Sequence, residues 1–318
     1  MRASRARIAG LVALALAAWQ APPAAAVSLY AQPRYAALLV DADSGEVLYS
    51  RQADAQRFPA SITKVMTLYV VFERLASGQL RLDDRIVFSA KAAAQRPSKL
   101  GLKAGESLTV DEAIRALTTK SANDVAMAVA EHVGGSDARF AELMTLKARQ
   151  IGMTDSRFVN PSGLPDSRQV TTARDIYRLS LAVMRDFPQY YSYFTIPQFN
   201  FRGAVMPNHN HLLRTMPGVD GIKTGFTNAA GFTLAASATR DGRRLIAVVL
   251  GGPSRVARDG NVESLLASGF SVLAARQRGS KVQVADLLAE PGDLNDAILS
   301  ALVEQGSADP GEGPRPRR

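Results

Sequence analysis

Ser61-Ile-Thr-Lys64, Ser121-Ala-Asn123 and Lys223-Thr-Gly225 each occur once in the chain, in that order. Between them they supply a hydroxyl nucleophile, a lysine three residues on to take its proton, a second hydroxyl beside an amide, and a cation followed by two small residues. A serine hydroxyl is a weak nucleophile at neutral pH and needs a base within hydrogen-bond reach. Residues i and i+3 share one face of a helix, so Lys64 can lie over Ser61 if the pair opens a helix. To act as that base Lys64 must be neutral, which demands a depressed pKa. Burial and the nearby charge of Lys223 would both push it down. Taken singly these runs are commonplace. An isolated Ser-x-x-Lys is usually a helix cap with a surface lysine, and Ser or Asn before a periodic run is the ordinary N-cap signal. Three in order are not noise.

The surrounding sequence indicates how each run is carried. Phe58-Pro59-Ala60 reads as a lead-in, and Ile62, Val65, Met66, Tyr69, Val70 and Phe72 form an apolar stretch of helical length. The N-terminus of such a buried helix favours developing negative charge beside Ser61. Ser121-Ala-Asn123 opens a second helical pattern through Val125, Ala126, Val129, Ala130 and Val133. Residues 232–238 and 244–251 read as strands joined at Asp241-Gly242, a good hairpin dipeptide. Lys223 to Phe226 then forms the strand beside the cleft, and an edge strand can pair with an extended peptide. Gly225 would let a ligand approach the backbone. Lys223 and Thr224 suit a terminal carboxylate.

Another hairpin is expected around Asp41-Ala-Asp-Ser-Gly45. Helical periodicity dominates residues 61 to about 151, broken at 97–106, and resumes near 172–185 and 262–275. Strands at both ends with helices between imply one sheet built from distant segments. The fold class is α/β of the α+β type: a mostly antiparallel sheet flanked by helices, with an inserted helical subdomain and the cleft between the two.

The three runs correspond to a recognised signature of penicillin-binding proteins and serine β-lactamases. Over roughly residues 34–276 the chain resembles the serine-type D-alanyl-D-alanine carboxypeptidases, the low-molecular-mass penicillin-binding proteins. The likeness extends to Pro59-Ala60-Ser61-Ile-Thr-Lys64-Val-Met-Thr67, Ser121-Ala-Asn-Asp-Val-Ala126, Phe158-Val-Asn-Pro-Ser-Gly-Leu164, Thr171-Thr-Ala-Arg-Asp175 and Val219-Asp-Gly-Ile-Lys-Thr-Gly-Phe226. The resemblance implies a β-lactamase/DD-peptidase-like fold. It implies an acyl-enzyme on Ser61, Lys64 as base, and Ser121 with Asn123 as relay to the leaving amine. Asn123 would also hold Lys64 and a substrate amide, Lys223 and Thr224 would bind substrate, and the N–H groups of Ser61 and Phe226 would form the oxyanion hole. Preorganised donors of that kind are worth roughly 3 kcal/mol each. The implied substrates are peptidoglycan stem peptides ending in D-Ala-D-Ala, with β-lactam antibiotics as covalent inhibitors and no metal or cofactor. Cleavage of peptidoglycan cross-links by the same route is the alternative activity, and weak β-lactamase action another.

Several other readings are disfavoured. A Ser-His-Asp hydrolase would have only His132, His209 and His211 to draw on, with no Gly-x-Ser-x-Gly run. His209-Asn-His211 lacks a third strong metal ligand nearby in sequence, and His132 falls in a helical pattern. His209 and His211, with Arg202 and Arg214, are better viewed as cleft-rim groups. Many relatives place an arginine where His209 falls, judged by Leu212-Leu213. Class A β-lactamases use a glutamate between the second and third motifs; between Glu142 and Lys223 there is none. A non-catalytic penicillin sensor is disfavoured because every reacting group is present.

Arg2, Arg5 and Arg7, an apolar stretch from Ile8 to Trp19, and Ala24-Ala25-Ala26 read as a secretory signal over residues 1–26, with the catalytic domain at 27–276. Export implies a periplasm or cell surface. Without those three arginines the formal charge of +9 falls to +6. No basic run is interleaved with aromatics, so nucleic acid is not an expected partner; anionic cell-wall polymers suit the charge better. No cysteine is present, so stability rests on the core, for which a hydrophobic content of 47% is ample. In the extension at 277–318, apolar residues recur at helical spacing around 294–302 with Asp293, Asp296 and Glu304 but no Lys or Arg. That favours packing on the domain, or frayed structure, over a strong membrane anchor, and the last ten residues read as disordered.

Overall fold

The first strand, β1 (Ala36–Asp41), is buried at every residue, so both of its faces must be covered. A computed structural model describes residues 34–288, and shows how. Ala36, Leu38 and Val40 pack with the helices that follow in sequence, whereas Ala37 and Leu39 pack with the last helix. The leader expected at 1–26 and the helical spacing at 294–302 lie outside the described residues.

On one edge β1 turns back into β2 (Val47–Arg51), as the Asp41–Gly45 sequence leads one to expect. Its other edge pairs with β9 (Arg243–Gly252), Ala36 opposite Leu250 and Asp41 opposite Leu245. β8 (Gly231–Arg240) reaches β9 through Asp241-Gly242, both at positive φ (+50° and +74°). That backbone matches the twist of an antiparallel pair. β7 (Val219–Thr227) completes the order β2-β1-β9-β8-β7, antiparallel throughout, and so occupies a sheet edge.

Between β2 and β7 the chain is chiefly helical: α1 (Thr63–Ala76), α2 (Ala90–Ala93), α3 (Val110–Thr118), α4 (Asn123–Gly134), α5 (Asp137–Gln150), α6 (Ala173–Asp186) and the short α7 (Leu212–Thr215). α1 is buried from Thr63 to Phe72 without interruption, which makes it the central helix. Side chains define several starts. Thr109 accepts from the Glu112 N–H and Glu112 returns a bond to the Thr109 N–H, a capping box; Thr172 and Ser254 cap α6 and α8 (Arg255–Gln277). The Ser254 cap explains why α8 begins seven residues before the periodic stretch expected at 262–275. It lies on the sheet face opposite α6, burying Val262, Leu265, Leu266 and Phe270, each worth roughly 1.5–3 kcal/mol.

The structure adds two small two-stranded sheets where periodicity indicated helix or nothing. β3 (Arg85–Val87) pairs with β4 (Ser107–Thr109) inside the helical region, and β5 (Gln198–Phe201) pairs with β6 (Ala204–Pro207). The expected break at 97–106 is the irregular segment between α2 and β4.

Candidate active site

Ser61 sits in a single 3-10 turn, Ala60–Ile62, that runs directly into α1. Lys64 follows one turn on and is completely buried. Its Nζ lies 2.9 Å from Ser61 Oγ, 2.8 Å from Asn123 Oδ1 and 2.6 Å from the Ser162 carbonyl. Both N–H groups of the Asn123 amide meet carbonyls, those of Arg96 and Pro97, each at 3.0 Å. Its oxygen must therefore face Lys64. Asn123 Oδ1 and Ser162 O can only accept. A neutral amine has two N–H groups and one lone pair; with the N–H groups taken by those carbonyls, the lone pair is left for the Ser61 proton.

Burial drives the Lys64 pKa well below its usual value, the Lys223 charge adds to the fall, and Asp124 opposes it. Both causes anticipated from sequence act in the anticipated sense. An amine held in this way suits general-base work near neutrality.

Ser121 and Asn123 enter from the start of α4, but not as caps. Ala122 occupies the cap position, with no side-chain cap. Ser121 stands at φ +60°, a conformation non-glycine residues adopt at a cost of about 1–2 kcal/mol. Its buried Oγ has no hydrogen-bond partner among the described residues. Strain and an unsatisfied hydroxyl on one residue mark a functional position better than a structural one. The Asn123 amide has no spare N–H for a ligand; in this structure it is committed to the loop at 96–97 and to Lys64.

The Ser162 carbonyl is a partner that no reading of residue types could supply. Asn160 Oδ1 shapes its turn by accepting the N–H groups of Ser162 (3.2 Å) and Gly163 (2.8 Å), and Gln169 Oε1 accepts those of Val159 and Asn160, both at 3.0 Å. Gly163 has φ +88°, and a Cβ there would lie 1.8 Å from the Ala60 carbonyl. The Asn-Pro-Ser-Gly segment is thus pressed against the turn that carries Ser61.

β7 closes the site from the sheet. Lys223 and Thr224 are buried, and Lys223 Nζ donates to the Thr224 carbonyl at 3.1 Å. A Cβ on Gly225 would lie 2.7 Å from Ser61 N and 2.7 Å from Thr233 Oγ1. The glycine therefore serves the approach of β7 to the Ser61 turn, rather than that of a ligand. Phe226, next along, is 36% exposed and packs on Phe232 with ring centroids 4.3 Å apart.

The rim groups divide. Burial, then Lys223 and Lys120, push the His209 pKa down to about 3, so that ring is neutral. Its neighbours Asn208 and Asn210 fasten the segment to the carbonyls of Ile196 and Gly221. His211 instead meets Arg255 at 2.7 Å, and Arg202 pairs with Glu106 at 2.7 Å. Arg214 and His132 are exposed. No group of three or more metal-ligating side chains forms among the described residues.

A serine hydroxyl beside a buried amine, facing an edge strand, defines the class of serine acyl-transfer proteins in which lysine takes the place of histidine. The chain belongs to the D-alanyl-D-alanine carboxypeptidase family, whose sequence profile matches residues 24–254. It is 32% identical to D-alanyl-D-alanine carboxypeptidase DacF of Bacillus subtilis, over 74% of this chain and 61% of that protein. It is 36% identical to DacA of Escherichia coli K12, over 73% of this chain and 60% of that protein. Among solved structures, penicillin-binding protein 5 of Haemophilus influenzae superposes with a TM-score of 0.72 at 35% identity, covering 74% of this chain and 70% of that one. The chain thus spans about three-fifths of the length of the two carboxypeptidases named first.

Proposed function

We propose that this protein is a serine D-Ala-D-Ala carboxypeptidase that removes the terminal D-alanine from peptidoglycan stem pentapeptides. The observation that carries the reading is the Lys64 amine, held by two carbonyls at 2.8 and 2.6 Å with Ser61 Oγ 2.9 Å away. The extended peptide lies along β7, its terminal carboxylate recognised by Lys223 and Thr224. Ser61 attacks the penultimate D-alanine carbonyl as Lys64 takes the hydroxyl proton. Negative charge on the tetrahedral oxygen is met by the N–H groups of Ser61 and Phe226. Ser121, whose hydroxyl has no partner among the described residues, relays the proton from Lys64 to the departing amine, which leaves Lys64 neutral again. Asn123 positions Lys64. Water, activated by the same amine, then frees the tetrapeptide. β-Lactams enter the first step and stay, because no glutamate lies between Glu142 and Lys223 to drive fast deacylation.

Residues 1–26 act as the export signal and 27–276 as the catalytic domain, placing the chemistry in the periplasm. Among the described residues no helix is long and apolar enough to cross a membrane.

The test is product analysis on purified muropeptides with Ser61→Ala as control. Free D-alanine from an uncross-linked pentapeptide, absent with the variant, is the expected result. Cleavage confined to cross-linked dimers would replace this reading with an endopeptidase, and no reaction with either substrate would end it.

A further inference from the structure

Asp124 follows Asn123, is fully buried, and takes no step of its own in the chemistry above. Its carboxylate accepts three backbone N–H groups: Leu100 at 3.0 Å and Val125 at 2.9 Å on Oδ1, and Gly101 at 2.8 Å on Oδ2. A carboxylate bonded in this way is satisfied without a cation, and bonds to a charged acceptor are the strong ones. Two of its three donors belong to the irregular segment 96–101. That same segment supplies the Arg96 and Pro97 carbonyls that hold the Asn123 amide. It also supplies the Ser98 carbonyl, which accepts the Asn123 N–H at 2.7 Å, while Ser98 Oγ donates to the Lys120 carbonyl at 2.9 Å.

An amide held by loop carbonyls is placed only as well as the loop itself. Segment 96–101 has no helix or strand of its own and is partly exposed, so its position must come from such ties.

We propose that Asp124 is a positioning residue for acylation: by binding the backbone of Leu100 and Gly101 it fixes the loop whose Arg96 and Pro97 carbonyls aim Asn123 Oδ1 at Lys64. The chain of contacts is continuous from the carboxylate, through the loop and the amide, to the Lys64 amine. A second consequence is electrostatic. The Asp124 charge draws the Lys64 pKa upward, against burial and Lys223.

This inference rests on the acyl-enzyme reading, and the experiment separates the two. Acylation of the full chain by a fluorescent penicillin is followed at rising concentration, giving a dissociation constant and a rate constant for bond formation. Failure of the unmodified protein to be labelled, with Ser61→Ala as control, would overturn the acyl-enzyme reading itself. Asp124→Asn keeps the size but turns one accepting oxygen into an N–H donor facing backbone N–H groups. Its rate constant should fall on the order of tenfold to a hundredfold, the usual consequence of misplacing a reacting group by a fraction of an ångström. Its dissociation constant should stay within about threefold, because β7 is untouched. A merely structural role would lower the melting temperature and leave that division unmoved. A folded Asp124→Asn protein with an unchanged rate constant would overturn the proposal. Ser98→Ala loosens the same loop without disturbing a buried charge, and serves if Asp124→Asn does not fold. It should slow bond formation severalfold at unchanged affinity; the unmodified rate would count against the proposal.

Discussion

Replacing Gly225 with alanine tests the claim that β7 and the Ser61 turn must touch. The added methyl would meet Ser61 N and Thr233 Oγ1 at 2.7 Å, and Ala60 Cβ at 3.0 Å. Ordinary contact begins near 3.4 Å, so strand and turn must part by about 0.7 Å. Thr233 can rotate, but Ser61 N is backbone and belongs to the turn that leads into α1. The movement therefore falls between the nucleophile and the edge strand. Overpacking of this kind destabilises by about 1–3 kcal/mol. A displacement approaching 1 Å between reacting groups costs on the order of a hundredfold in rate. Fluorescent penicillin labelling by stopped flow, with a thermal melt alongside, measures both. The expected result is a folded protein with a slightly lower melting temperature that acylates about a hundredfold more slowly. If Gly225→Ala labelled as fast as the unmodified protein, the close approach would have no bearing on catalysis and the geometric account of the third motif would fall.

Three other perturbations follow from the same coordinates. Ser121→Gly relieves the positive φ and removes a buried hydroxyl that has no partner among the described residues, so stability should rise by about 1 kcal/mol after the entropic cost of glycine, while turnover falls about 10²–10⁴-fold; calorimetry beside a D-alanine release assay checks both, and a less stable but fully active variant contradicts it. Lys223→Ala removes a like charge that depresses Lys64; because acylation needs the neutral amine, its acid limb should move to higher pH, and a limb that stays still or moves down refutes Lys64 as the base. Gly163→Ala combines φ +88° with a methyl 1.8 Å from the Ala60 carbonyl, so denaturant unfolding should register a loss of at least about 3 kcal/mol; a loss below about 1 kcal/mol would mean that the loop is not pressed on the turn.

The reacting groups were legible because the chemistry is written in contiguous side chains. Ser61, Lys64 and Asn123 meet by direct hydrogen bonds, and the Asp241-Gly242 hairpin fixed β8 against β9 in advance. What escaped has physical reasons. Three-residue strands such as β3 and β4 are too short to display alternation. The third partner of Lys64 is a backbone carbonyl, that of Ser162, which residue type does not encode. The cap expected at Ser121 is absent because the chain spends that residue on a left-handed conformation instead. Asp124 reads from sequence as an ordinary first-turn acid, favourable to the helix dipole; only the fold brings Leu100 and Gly101 to it.

β1 has a separate consequence. It is walled in between a neighbour made at once and a neighbour, β9, made about two hundred residues later. Until the later one has been synthesised, the apolar ribbon has a naked flank, the kind that invites wrong partners. One of the four strand pairings, β1 with β9, joins remote parts of the polypeptide, and a pairing of that kind is slow to form. A nascent chain carrying both serines still lacks the strand that closes the site, since β7 follows Ser121 by about a hundred residues and needs β8 and β9 after it to join the sheet.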